Sequence, residues 1–427
     1  MADRLRRYEK SAGVSTPAPT YTGRRLSERE FILFIAMVSA MSALAIDTLL
    51  PAFSAMRDAF NLPEDSTGLS LTITLFFVGS GIGNLVYGPM ADALGRKRIL
   101  VGSMVLYGLA SLMATLSVTL GMLYVSRFIW GFAAAGPRTA AQAIVRDYYS
   151  GDAMARVMTL VMAVFFWAPV AGPPLGKGLL ELGSWRYVMA FSVFTAVAII
   201  AWSLRLEETL KPEHRRPLTF RSTMAGFRSV TTHPVTLGYT LATMFSAGAF
   251  FSFLSSSELI FDDVFDQEHW FVPYFSIMAA GMGLVTLLNN RALHRFRARS
   301  VALSAGGLQI CAASTMLGLT LAAGGRPPFV LWITIFSLAN ACMVAFFPLG
   351  QSLALEPMGE MAGTAAAVLG FTMAMFGALL AEIINQAISG TVTPVGIGYL
   401  AYGTAGMVCQ LFAVRHQQSP AIAGRPR

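Results

Sequence analysis

Apolar residues in this chain are gathered into runs of roughly twenty, and polar and charged residues are confined to the breaks between them. The runs cover residues 31–53, 68–90, 99–116, 121–145, 157–182, 187–206, 235–260, 270–288, 301–323, 329–353, 363–388 and 395–414. A run of that length suits a helix crossing a bilayer, because only a helix closes its own backbone hydrogen bonds where no water is available. The pattern therefore predicts an all-α membrane protein of twelve transmembrane helices.

The breaks are uneven, and the longest internal one, residues 207–234, holds Lys211, Pro212 and Pro217 and parts six runs from six. The organisation read from this is an N-terminal arm (1–30), a six-helix half (31–206), a linker (207–234), a second six-helix half (235–414) and a tail (415–427). A basic turn at Gly95 to Arg98 has an echo at Arg295 to Arg299, each after the second run of its half. Parallel repeats of this kind place a substrate site near the bilayer midplane, between halves that rock to alternate access.

Composition agrees with the pattern. Of the 427 residues 55% are hydrophobic and 13% charged, about half the charge of a soluble domain. The net charge of +8 is placed by topology. Arg4, Arg6, Arg7, Lys10, Arg24, Arg25 and Arg29 precede the first run. Arg96, Lys97 and Arg98 follow the second, Arg205, Lys211, Arg215, Arg216, Arg221 and Arg228 the sixth, and Arg291, Arg295, Arg297 and Arg299 the eighth. The alternate breaks hold chiefly Arg57, Arg186 and Arg326, and one carries Asp262, Asp263, Asp266 and Glu268. Basic residues in short loops stay in the cytoplasm, so both termini are expected there, in an inner membrane. Orientation accounts for the basic residues, and nucleic acid is not an expected partner. The first run is too long for a signal-peptide core and reads as a retained span. Cys311, Cys342 and Cys409 lie in apolar runs, while His214, His233, His269, His294 and His416 lie outside the membrane centre. No metal, cofactor, nucleotide loop or catalytic set is read, so an enzyme is not expected.

Several motifs stand out. YGPMADALGRKRIL spans Tyr87 to Leu100, RFIWGFAAAGPRTAAQAIVRDYY spans Arg127 to Tyr149, and WAPVAGPPLGKGLL spans Trp167 to Leu180. The first resembles the inner-loop signature G-x-x-x-D-x-x-G-R-[KR] of the major facilitator superfamily, with Gly88, Asp92, Gly95, Arg96 and Lys97 in register. The second resembles the family's fourth-helix pattern, with Trp130 where glutamine is common. The third resembles its antiporter signature G-P-x-x-G-G through Gly172, Pro173 and Gly176, with Lys177 in place of the last glycine. IDTLLP (46–51), VRDYY (145–149), SWRYV (184–188), LEETL (206–210) and AGTAAA (362–367) are similar to the Bcr/CflA branch of drug and metabolite exporters. Glu258 stands where that branch is expected to have proline. The resemblance implies that Asp92 sits by the start of the eleventh helix, as a latch for the outward-facing state. It also implies that the fifth-helix glycines form a hinge or a leak-tight interface.

Charges inside the runs are few, and each is costly, at least about 2.5 kcal/mol at the bilayer centre. Asp47 and Arg127 lie at matching depth. Asp47 is the candidate proton carrier and Arg127 its tuner; the alternative is a fixed structural ion pair. Glu382 is a candidate second carboxylate or a group facing headgroups. Arg138 is a candidate to attract an anionic substrate or a carboxylate; the equal alternatives are a helix-packing role and snorkelling toward the cytoplasm. Lys177, Glu181 and Glu258 lie near span ends, where exposure at the interface is the cheaper reading. Helices 1, 4, 7 and 10 line the cavity in the superfamily, which makes Gln142, Ser255 and Asn340 candidate contacts. The aromatics Trp130, Phe251 and Phe347 are candidates for an adaptable apolar wall. The expectation is a monomeric proton-coupled exporter of small amphipathic drugs or metabolites, working in the lipid bilayer without cofactor. The alternatives are a dedicated exporter of a siderophore or other metabolite and a proton-coupled nutrient importer of the same fold.

Overall fold

The computed structural model describes residues 26–63, 66–149, 151–210, 220–293 and 295–417. Most of the N-terminal arm, the linker stretch with Lys211, Pro212 and Pro217, His294 and the end of the tail lie outside the described residues. Each apolar run lies on a long helix: α1 (Glu28–Asp47), α2 (Ser70–Leu94), α3 (Arg96–Thr115), α4 (Leu120–Tyr148), α5 (Gly151–Leu180), α6 (Trp185–Ser203), α7 (Pro234–Leu259), α8 (Phe271–Leu293), α9 (Ala298–Ala322), α10 (Phe329–Leu355), α11 (Ala362–Ala387) and α12 (Thr393–Gln417). All but α4 and α5 belong to the 10 candidate spans that are long and apolar enough to cross a membrane. Those two are the longest helices, at 29 and 30 residues. The chain is a multi-pass, all-helical membrane protein among its described residues.

Local chemistry sets the helix ends. Ser27, Thr119 and Ser184 are extended and accept from the backbone N–H of Glu30, Met122 and Arg186, which caps α1, α4 and α6. Gly95 separates α2 from α3 with φ of 118°, a conformation that favours glycine. The first run is longer than its apolar pattern. Pro51 breaks α1, and a single 3-10 turn at Leu50–Ala52 leads into a short helix, Phe53–Ala59. A second short helix, Phe220–Thr232, occupies the end of the expected linker and packs on α11 through Gly226 against Thr364 and Phe227 against Phe371.

Among the pairings of the first six helices, six are these: α1 packs on α4, α5 and α6, α2 on α4, and α3 on α4 and α6. The same six recur with every number raised by six: α7 on α10, α11 and α12, α8 on α10, and α9 on α10 and α12. Two further pairings, α2 with α11 and α5 with α8, join the sets and exchange under the same shift. Close packing runs on small residues: a Cβ at Gly79 would sit 2.1 Å from the Phe128 carbonyl oxygen, and one at Gly131 1.8 Å from that of Phe76. Large apolar side chains such as Leu109, Phe194, Ile277, Val330 and Ile383 are exposed. Outward-facing apolar side chains suit a helix bundle whose solvent is lipid.

Candidate functional site

The break in α1 builds the most unusual centre of the molecule. Leu49 donates its N–H to Ile46 rather than to Ala45, so the Ala45 carbonyl is left free of the helix ladder. Arg127 of α4 donates to that oxygen through Nη1 at 3.3 Å, and to the Thr72 carbonyl of α2 through Nε at 3.3 Å. Its guanidinium carbon lies 4.8 Å from the ring centres of both Phe76 and Trp130. Nη2 is buried without a hydrogen-bond partner. Asp47, the last residue of α1, is buried at 2% exposure. Among the described residues its carboxylate makes no hydrogen bond or ion pair, and Arg127 approaches it no closer than an ion pair would require. Arg127 therefore grips the backbone two residues from Asp47, in place of the ion pair between side chains that depth matching suggested.

The fifth-helix motif closes on the same point. A Cβ at Gly172 would lie 2.5 Å from the Asp47 Cβ, and one at Gly176 2.0 Å from the Thr48 carbonyl oxygen. Pro173 lies between them, inside α5 with Pro169 and Pro174. These two glycines let α5 pass flush against the break in α1, which shields the carboxylate from one side.

At the end of the bundle that carries Arg57, the two sets of helices are tied together. Arg57, on the short helix after the break, donates to Glu258 of α7 from Nη1 at 2.9 Å and from Nη2 at 2.6 Å. Nη2 also lies 2.9 Å from Asp262. Arg57 and Glu258 are both buried, at 4% exposure each. Glu258 was expected at an exposed span end; the Arg57 fork compensates its charge and allows the burial. Nearby, Thr74 of α2 donates to Glu382 of α11 at 2.7 Å, so Glu382 faces a neighbouring helix. Phe77 of α2 stacks on Phe251 of α7 with centroids 3.7 Å apart, and Ser276 of α8 donates to the Val170 carbonyl of α5 at 3.1 Å.

At the opposite end, three motifs meet. Gly95 leaves room for Glu208, whose carboxylate accepts from the Arg96 N–H at 2.8 Å and so caps the positive start of α3. The Arg96 guanidinium lies 3.0 Å from Asp92 and 3.2 Å from Asp147, and Thr209 donates to Asp147 at 2.6 Å. Lys97 donates to the Leu204 carbonyl. Gly88 has open space around its Cα. The Asp92 side chain is 39% exposed, and among the described residues its ion-pair partner is Arg96, with no hydrogen bond or ion pair to the start of α11. LEETL and VRDYY thus supply the acids for the basic turn, a pairing hidden in sequence because 112 residues separate Glu208 from Arg96.

The expected cavity residues divide. Trp130 is buried edge-on between Tyr107 and Phe76, inside the first set of helices. Asn340 is buried and accepts from the Tyr399 hydroxyl of α12, and Ser255 is buried and accepts from Asn385 of α11, so both tie helices together. Phe347 is half-buried, edge-on to half-buried Phe250 at 5.7 Å. Gln142 is exposed, and Arg138, one turn before it, is half-buried and donates to Asn84 of α2 at 3.1 Å. Gln351 of α10 is exposed as well. Gln142 and Gln351 are exposed in the halves of α4 and α10 away from the Arg57 cluster, which ties the two sets of helices at the other end.

A model of the Major Facilitator Superfamily matches residues 34–415. An uncharacterized MFS-type transporter, YdgK, of Bacillus subtilis is 28% identical, covering 90% of this chain and 94% of its own. A bicyclomycin resistance protein homolog of Haemophilus influenzae is 26% identical, covering 85% of this chain and 91% of its own. Among solved structures, a D-xylose–proton symporter superposes with a TM-score of 0.70 at 14% identity, over 90% of this chain and 97% of that one.

Proposed function

The chain belongs to the Major Facilitator Superfamily and is a transporter rather than an enzyme; on that premise we propose that it is a proton-coupled exporter of small amphipathic molecules. The observation that carries the reading is Asp47. It is an acid buried at a helix break with no ion-pair or hydrogen-bond partner among the described residues, a site from which a proton can be taken up and given back as access changes. It ionises when a conformational change brings water or a cation to it. A group that changes protonation with access is what proton coupling requires. Arg127 fixes the backbone beside it, and the α5 glycines form its wall.

In this reading all twelve long helices span an inner membrane as two six-helix halves, with both termini cytoplasmic and a single chain as the working unit. The recurrence of the helix pairings under a shift of six supports the halves. The basic Arg96 end faces the cytoplasm, and the closed Arg57 end faces outward. The conformation is then inward-open, and the pairing of Asp92 with Arg96, with no polar bond to α11 among the described residues, fits it, because a latch for the outward-open state is released here. Alternating access breaks the Arg57–Glu258–Asp262 cluster as Asp92 engages. The resistance named for the Haemophilus relative and the fifth-helix motif favour export over import.

Reconstitution in proteoliposomes with an imposed pH gradient tests this. Wild-type protein is expected to move bicyclomycin or a related amphipathic compound against its gradient. Asp47→Asn should lose that accumulation but still exchange cargo downhill. Accumulation by the variant equal to wild type overturns the assignment, and movement of cargo along the proton flux favours the importer.

A further inference from the structure

The remaining cation of the membrane core, Arg138, is used by none of the contacts described for coupling or gating. It stands ten residues before Tyr148, the end of α4, and so about 15 Å from that end along the helix axis. Its polar contact is one hydrogen bond, from Nη2 to the Asn84 Oδ1 at 3.1 Å. No acidic side chain among the described residues lies within ion-pair distance of it. A guanidinium has five N–H donors, and a single bond to an amide is work that a glutamine would do without bringing a charge into the membrane. The side chain is half-buried, beside exposed Gln142 one turn on. Asn84 is itself 8% exposed, with a buried Nδ2 that lacks a hydrogen-bond partner, and a Cβ at Gly370 of α11 would lie 3.3 Å from it. Asn84 thus places Arg138 beside the junction of α2 with α11, where the two sets of helices meet, with Gln142 one turn further along α4.

We propose that this cluster binds the anionic head, carboxylate or sulfonate, of an amphipathic organic acid, which makes such acids the transported class. The inference rests on the exporter reading and specifies its cargo. The apolar body has a place on the side toward Arg57. Phe77 precedes Asn84 by two helical turns on the same face of α2, about 10 Å away along the axis. It stacks on Phe251, next to Phe250 and Phe347. An acid with one aromatic or alicyclic ring system spans that distance. Arg138 supplies a planar fork matched to two oxygens, and Gln142 and Asn84 supply amide donors.

Three probes of one shape and different charge test the site: 2-naphthalenesulfonate, 2-naphthylmethanol and 2-naphthylmethylammonium, titrated calorimetrically into the full chain in lipid nanodiscs. Wild-type protein is expected to bind the sulfonate at least tenfold more tightly than the alcohol, and the ammonium least. Arg138→Gln should weaken the sulfonate tenfold or more and leave the alcohol within twofold, with Arg138→Lys between. Should Arg138→Gln fail to fold, the wild-type order and the lysine variant still decide. Equal binding of all three probes, preference for the ammonium, no binding of any, or an unchanged sulfonate affinity in Arg138→Gln overturns the site. The same proteins under a pH gradient separate this from the exporter reading. Arg138-dependent sulfonate binding without gradient-driven flux upholds the site and refutes export. Gradient-driven flux of the alcohol and ammonium, unchanged in Arg138→Gln, upholds export and refutes the site.

Discussion

A single proline marks the break beside Asp47 at the level of residues. Pro51 has no N–H for the Asp47 carbonyl, α1 tightens ahead of it so that Leu49 donates to Ile46, and Arg127 takes the place of the donor that Ala45 lacks. Arg127 thereby satisfies backbone oxygens on α1 and α2 at once. Arg127→Leu is expected to leave the Ala45 oxygen buried and unpaired, at a cost of about 1–3 kcal/mol, read as a lowered unfolding temperature in detergent. Arg127→Lys should recover only part, since an ammonium lacks the planar fork that reaches both oxygens. A lysine variant as stable as wild type would contradict this geometry. The candidate pair Asp47 and Arg127 was legible in sequence because charges in apolar runs are rare. That Arg127 binds backbone was not, because the free carbonyl exists only once the helix has broken.

Helices interlock through small residues, and this is where the family motifs acquire physical meaning. Gly172 and Gly176 are the points at which α5 touches the break in α1. Gly176→Val should force the two helices apart and destabilise the protein by about 1–3 kcal/mol, with transport lost; unchanged melting and transport would show that the close approach is dispensable. At the other end Glu208 caps α3 across Gly95. Glu208→Ala is expected to cost about 1 kcal/mol and to loosen the basic turn, measured as faster amide exchange at Arg96 and Lys97. Helix positions were readable from apolar run lengths, since each run lies on a helix. The extension of the first run through Phe53–Ala59 and the helix Phe220–Thr232 were not, because both carry polar residues whose burial or docking depends on partners elsewhere in the chain. Glu258 is the clearest case. It reads as an exposed span end until Arg57, 201 residues away, is brought against it.

Across the whole molecule, the Arg57–Glu258–Asp262 cluster ties the two sets of helices at one end, while the opposite end exposes Gln142 and Gln351. Removing one partner of a buried ion pair costs about 3–5 kcal/mol, and the loss is borne only by the conformation in which the pair forms. Arg57→Ala is therefore expected to favour the opposite conformation, opening the Arg57 end. A cysteine placed at Ser256, buried beside the cluster, should then react with a membrane-impermeant thiol reagent added outside, in a background lacking the native cysteines. Labelling no faster than with Arg57 intact would show that the cluster does not hold that end shut. The shift-by-six repeat was faintly visible as two basic turns. Its expression as matched helix pairings needed the fold, because pairing depends on which small residues face each other.

The central claim is that Asp47 carries the coupling proton, and substrate-induced proton release measures it most directly. An amphipathic compound that the protein is shown to bind is added to weakly buffered, detergent-solubilised protein with a pH indicator. Wild-type protein is expected to release close to one proton per cargo bound at Asp47, and Asp47→Asn to bind the cargo while releasing none. Equal release from both proteins would place the proton on another group and contradict the account.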